Sequence, residues 1–370
     1  MRKEIGGLKR EGVWEEIERT QMPVDTRAAP TQMLFNQKAN GDLKCRFVVR
    51  GDLTVKGVHW LENKSTMAAL EAVRMLTSFA AGSGWRIYAC DWSQAFVQAP
   101  ATNPNMYCEL PDLPPELHDL GHSKKDKRFV AWMKRNLYGE VSGSRVWQQF
   151  LQTWMQSEAM GCMFSVNDRN VLSWDWTDAA GVTHYLKGAL HVDDLLFIVS
   201  SEAIRAEFMR RLHARFTLTG GEDEATDYCG MQIRRDWVAQ TVTLHQSKFA
   251  HKLMEKYDLV GKRIEPMPFK AGPHALVPWD GNPTDRDVFD YCGCVGDLMW
   301  LSRTHPDIAW RVADLAQHMQ SPGPLHVAAA LHVLRYLSGH LNEGLTYHGS
   351  NDVRMHPYDH RNKLILAADS

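Results

Sequence analysis

Two adjacent carboxylates, Asp193 and Asp194, stand between the apolar runs Leu186–Val192 and Leu195–Val199 in the segment YLKGALHVDDLLFIV (185–199). Each run is rich in strand-favouring residues and has the length of one strand, which predicts a buried β-hairpin with two acids at its tip. An unpaired buried carboxylate is costly, so such a pair calls for a partner. A divalent cation is one, and Mg²⁺ prefers carboxylate oxygen. An ordinary solvated Asp–Asp turn reads the same from these residues alone. A third acid, Asp91, closes the short strand Ile87–Cys90 in RIYACD. Three carboxylates converging on neighbouring strands could hold two Mg²⁺ ions, one activating an attacking hydroxyl and the other binding a triphosphate and its leaving group. That chemistry is phosphoryl transfer to a 3′-hydroxyl.

The elements around the acids must bring them together. RVWQQFLQTWMQSEAM places Trp147, Phe150, Leu151 and Trp154 on one helical face. SEAIRAEFMRRLHARF places Ile204, Phe208 and Leu212 likewise. The order strand, helix, hairpin, helix is a β-α-β-β-α arrangement of α+β class. Residues 1–40 read as irregular, 43–60 as a hairpin turning at Gly51 and Asp52, and TGGED (219–223) as a turn. KSTMAALEAVRMLTSFAAG predicts a helix capped by Ser65 or Thr66, with Met67, Leu70, Val73 and Leu76 near one face. Residues 224–244 read as strands, and helical patterns dominate 247–340, broken at 265–283.

Length and composition set bounds. A chain of 370 residues with 44% hydrophobic and 23% charged residues has room for a large core and two or three subdomains. No apolar run approaches the roughly 18 residues of a membrane span. The start, MRKEIGGLKREGVWEEI, is too charged for a signal peptide. Seven cysteines without framework or zinc spacing read as reduced thiols of an intracellular protein. The net charge of −2 is mild, but residues 121–150 hold seven Lys or Arg against two acids, and 245–271 hold six against three. Either cluster could follow a phosphate backbone or form a solvated basic face.

The motifs, taken in order, resemble the reverse transcriptase of copia-type LTR retrotransposons. LKCRFVVRG (43–51) is similar to the fingers segment, DWSQAF (91–96) to the first catalytic motif, and LYGEVSGSRVW (137–147) to the block usually written LYGLKQAPRAW. HVDD (191–194) resembles the YVDD box, YCGMQI (228–233) the primer-grip region, and LHQSKFAHKLMEKYDL (244–259) the start of the thumb. Residues 291–326 and 334–347 resemble the downstream signature. The resemblance implies a right-hand polymerase fold with fingers, an antiparallel-sheet palm and a mostly helical thumb. Its implied boundaries are 1–85 for an N-terminal extension and fingers, 86–240 for the palm with a fingers insertion near 101–135, and 241–345 for the thumb. Residues 346–370, with Asp369, would open an RNase H-like domain whose activity is not expected here.

Carried over residue by residue, the resemblance gives Asp91, Asp193 and Asp194 the binding of two Mg²⁺ ions, for which Mn²⁺ can substitute. Lys44, Arg46 and Arg50 stand where a triphosphate clamp would be, and Phe96 where an aromatic ring would exclude a ribose 2′-hydroxyl. His191, Tyr228, Gly230 and Met231 fall at the primer and template. Two departures stand out. Lys-Gln-Ala-Pro is Val141-Ser142-Gly143-Ser144 here, so Ser142 occupies the Gln position, and His191 replaces Tyr. The implied function is RNA-directed DNA polymerisation from dNTPs on an RNA or DNA template with a primer, with other Pol or Gag segments as further partners. The implied place is the cytoplasm, in a virus-like particle, or the nucleus, without secretion or membrane contact. A catalytically impaired, nucleic-acid-binding relic and a Mg²⁺-dependent nuclease are the competing readings.

Overall fold

The computed structural model describes residues 1–37, 41–269 and 276–349, so Asp369 and most of the stretch assigned to an RNase H-like domain lie outside the described residues. The chain divides into two compact units, one of residues 1–69 and 90–221 and the other of 70–89 and 222–370.

The first unit contains the predicted hairpin. Thr183–His191 and Asp194–Val199 pair antiparallel, with His191 opposite Asp194 and Val199 opposite Leu186. Their apolar runs are buried, so one register exposes the turn and hides everything behind it. The hairpin lies inside a six-stranded sheet whose order is Leu218–Glu224, Arg86–Trp92, Asp194–Val199, Thr183–His191, Val171–Thr177, Met163–Phe164. The Asp91 strand is therefore the immediate neighbour of the Asp194 strand.

Two helices cover the sheet. Ser201 caps Glu202–His213 by accepting from the Ile204 N–H, and Phe208 packs on Phe197 and Trp174 with ring centroids 5.3 and 5.6 Å away. The helix Gly143–Gln156 buries Val146, Trp147, Leu151 and Met155. Phe150 and Trp154 are only half-buried, but both meet Phe216, at 6.0 and 5.0 Å.

Several local expectations are corrected. The described part of 1–40, residues 1–37, is not irregular: a helix spans Arg2–Arg10, and strands span Trp14–Glu18 and Thr31–Gln37. The hairpin pairs Thr31–Gln37 with Leu43–Val49, while Gly51–Leu53 forms a single 3₁₀ turn. TGGED is strand, not turn, within Leu218–Glu224. Gly221 sits there at φ +87°, and a Cβ on it would run into the Met209 thioether. Its glycine serves close packing of strand on helix. The predicted cap at Ser65 or Thr66 also fails, since the helix begins at Leu70. Thr66 is held elsewhere: its N–H donates to Gln148 Oε1 at 3.1 Å, its hydroxyl accepts from Asn170 at 2.9 Å, and Ala68 N–H donates to Leu190 O at 2.9 Å.

The second unit places the helix Leu70–Ser83 on a four-stranded antiparallel sheet, in which Gly344–His348 pairs with Thr241–His245. A separate core gathers Leu253, Tyr291, Leu298, Leu315 and Val333 from the helices Ser247–Lys256, Tyr291–Leu301, Ala309–Ala316 and Pro324–Leu337. Among the described residues, no helix is long and apolar enough to cross a membrane.

Candidate active site

The acids lie on neighbouring strands of the first unit. Val192 and Asp193 form a two-residue turn between the hairpin strands. Asp193 and Asp194 are half-buried, and Asp91 on the neighbouring strand is exposed. The two strands are tied at this point, because the Trp92 N–H donates to the Asp193 carbonyl at 2.9 Å. Asp91 holds its proton above the ordinary carboxyl range, first because it loses hydration and then because the charges of Asp193 and Asp194 face it; Lys44 opposes the shift. Like charges crowded in this way favour a cation as their common partner. Among the described residues, no group of three or more His, Cys, Asp or Glu side chains stands placed to hold a metal ion. The donor set is nonetheless the hard-oxygen kind that a divalent cation prefers.

The remaining predicted residues divide. Lys44 and Arg46 lie on the strand Leu43–Val49, and the Arg46 guanidinium lies over the Tyr138 ring, 5.5 Å from its centroid. Arg50 is turned onto Asp52, with contacts of 2.9 and 2.6 Å. Phe96, in the short helix Ala95–Gln98, is half-buried and meets Tyr138 edge-on at 5.5 Å. Ser142 is the residue before the helix Gly143–Gln156 and makes no side-chain capping bond. A Cβ added at its neighbour Gly143 would touch the Phe96 ring at 3.7 Å. His191 is half-buried at the hairpin end.

Tyr228, Gly230 and Met231 belong to the second unit. Tyr228 and Met231 pair across a tight turn, and both side chains are buried. Cys229 and Gly230 both have positive φ, 45° and 76°, and Gly230 is exposed. The part of this motif facing solvent is thus turn backbone rather than the two large side chains.

Tyr138 was not singled out from the sequence, yet it joins the cation Arg46 to the ring of Phe96. Burial pushes its phenol up to about 12, with Arg46 opposing and Glu4, Asp193 and Asp91 adding to the rise. Its place in Leu-Tyr-Gly was the available signal. A backbone seam positions it: the Val49 N–H donates to the Tyr138 carbonyl at 2.7 Å. At Gly139, φ +83°, an added Cβ would overlap the Val49 carbonyl, and one at Gly51 would overlap the Gly139 carbonyl. Only bare backbone allows the cation strand to lie this close to the loop.

The basic cluster of 121–150 is largely occupied within the protein. Lys125, Arg128, Lys134 and Arg145 pair with Asp112, Asp126, Glu15 and Glu62, while Lys124 and Arg135 donate to backbone carbonyls.

Clustered acids on an antiparallel hairpin, a ring and cations beside them, and the motif order converge on one family. The reverse transcriptase (RNA-dependent DNA polymerase) family matches residues 13–271, and the chain belongs to it. The α+β polymerase fold and the family read from the motifs are thereby borne out. The retrovirus-related Pol polyprotein from transposon RE1 of Arabidopsis thaliana is 25% identical over 88% of this chain and 21% of its own length. That from transposon TNT 1-94 of Nicotiana tabacum is 24% identical over 95% of this chain and 26% of its own. The chain thus spans about a fifth to a quarter of the length of these curated relatives. Among solved structures, the foamy viral protease–reverse transcriptase in complex with double-stranded DNA is similar at a TM-score of 0.48 and 13% identity, over 90% of this chain and 46% of that one. Reverse transcriptases as a family use divalent metal ions.

Proposed function

We propose that this chain is the polymerase portion of a copia-type Pol polyprotein, adding deoxynucleotides to a primer 3′ end on an RNA or DNA template. The observation that carries this reading is the Val192–Asp193 turn, which sets two carboxylates against Asp91. Asp91, Asp193 and Asp194 would hold Mg²⁺, with Mn²⁺ as a substitute. When bound, such ions lower the pKa of an attacking hydroxyl and neutralise charge on the phosphates. Lys44 and Arg46 add fixed positive charge on the side from which a triphosphate would come. Phe96, packed edge-on against Tyr138, presents a ring that would crowd a 2′-hydroxyl. Cations and a ring beside the acids suit a nucleotide, for which a nuclease has no use. Tyr228, Gly230 and Met231 are assigned to primer or template through the exposed turn rather than through the buried side chains. The reading places the protein in the cytoplasm, in virus-like particles, or in the nucleus.

Primer extension on an RNA template tests it. The parent chain is expected to add dNTPs only with a divalent ion, and Asp193→Asn is expected to stop it. An inactive parent, or a fully active Asp193→Asn variant, would sink the proposal.

A further inference from the structure

The turn that carries Asp193 is built from the wrong residue. Val192 sits at φ 60°, in the left-handed region where a β-branched side chain is a genuine outlier. Two-residue hairpin turns ordinarily place Gly, Asn or Asp there. A strained residue persists only where its surroundings over-determine it.

Two buried donors do so. The Trp147 indole N–H donates to the Val192 carbonyl at 2.9 Å, and the Trp92 backbone N–H donates to the next carbonyl, of Asp193, at 2.9 Å. Trp92 and Trp147 are almost wholly buried, and their rings meet edge-to-face at 6.0 Å. Phe216 contacts both, at 6.4 and 5.8 Å. The indole therefore has little room to swing away. Its helix is anchored further along by Gln148, which holds Thr66 and Asn170.

We propose that Trp147 is a positioning residue: its indole N–H holds Val192 in the left-handed conformation and so fixes Asp193 against Asp91 for ion binding. The side chain never touches substrate. Its effect on turnover rests on the polymerase reading, but its effect on the turn does not.

The experiment uses the full chain with Trp147 replaced by benzothienylalanine, which keeps the bicyclic shape and lacks the N–H. Trp147→Phe serves as a second variant. Hydrogen exchange of the turn amides and Mn²⁺ binding by electron paramagnetic resonance are read without primer or nucleotide. Losing one neutral hydrogen bond is expected to speed exchange and weaken Mn²⁺ binding by about three- to tenfold. Adding Val192→Gly to either variant should reverse both changes, because glycine adopts this φ without a holder. A residue that merely fills the core would not be rescued in this way. Unchanged exchange and Mn²⁺ affinity, or loosening that Val192→Gly fails to reverse, overturns the proposal. A parent that takes up no Mn²⁺ also overturns it. A parent that extends no primer but shows the full pattern supports the brace and removes the polymerase reading instead.

Discussion

The Val192–Asp193 turn and the Leu137–Gly143 loop are two short connections of the same unit, and they are fixed by different physics. The turn is pinned by an indole and an amide, neither of which titrates near neutral pH. The loop is pinned by a carboxyl: Glu140 Oε1 accepts from the Leu137 N–H at 2.7 Å, and the Glu140 carbonyl accepts from the Gly143 N–H at 3.1 Å. The turn retains the Val-Asp-Asp expected of the family, whereas the loop departs from it over Glu140–Ser144. Where chemistry needs fixed carboxylates, the support is aromatic and indifferent to pH. Where only a neighbouring ring and a helix start must be placed, a titratable group suffices.

The largest expected effect lies in the turn. Asp193→Asn should lower primer extension by roughly a thousandfold or more, since ion-based stabilisation is worth several kcal/mol. Circular dichroism should show an unchanged fold. No substitution at Phe96, Glu140 or Ser142 should approach this size, and one that did would erase the distinction.

On the loop side, Phe96 leans on Tyr138. Phe96→Ala should raise kcat/KM for ribonucleotides relative to deoxynucleotides by on the order of tenfold to a hundredfold, the scale of a steric pocket contact. An unchanged ratio in an active enzyme would reduce Phe96 to packing.

Glu140 sharpens the comparison through pH. Burial raises its carboxyl from the ordinary 4.5 to about 7, with the Leu137 hydrogen bond opposing. The folded chain thus binds the extra proton between these values, so stability is highest at the acidic end and falls as pH rises through the window, levelling off above it. At 1.36 kcal/mol per unit the loss is at most on the order of 3–4 kcal/mol. Glu140→Gln keeps an acceptor for the Leu137 N–H and should flatten the slope of urea midpoint against pH. An identical slope in the variant would assign it to other groups.

Ser142→Gln is the smallest expected change. Restoring one neutral hydrogen-bonding group should raise polymerase activity a few-fold to roughly tenfold, equivalent to about 0.5–1.5 kcal/mol. No gain in steady-state kinetics would mean that the loop tolerates its departure.

What the sequence revealed follows the same division. The hairpin was legible because two apolar runs flank the acids and both are buried. The helix Glu202–His213 was legible from its apolar period. Thr31–Gln37 was not, because most of its residues are exposed and leave no alternating burial to read. Thr66 looked like a helix cap, but tertiary bonds to Gln148 and Asn170 outweigh a local preference. Gly220 and Gly221 looked like a turn, because sequence cannot tell a glycine needed for bending from one needed for close approach. The acids were found by type and spacing. Tyr138 was missed because its role depends on Arg46 and Phe96, both distant in sequence.

The glycine seam between Gly51 and Gly139 also bears on how copies of such a chain age. Any first- or second-position base change in a glycine codon removes the glycine. At either position the new Cβ would overlap a carbonyl oxygen of the facing backbone. Drift can recolour the surface, and can rewrite Val141–Ser144, without parting these strands. It cannot touch either glycine without separating the cation strand from the loop that carries Tyr138. Among diverged copies of such a chain, the intact pair would therefore mark those still able to close this part of the fold, before any assay of activity is run.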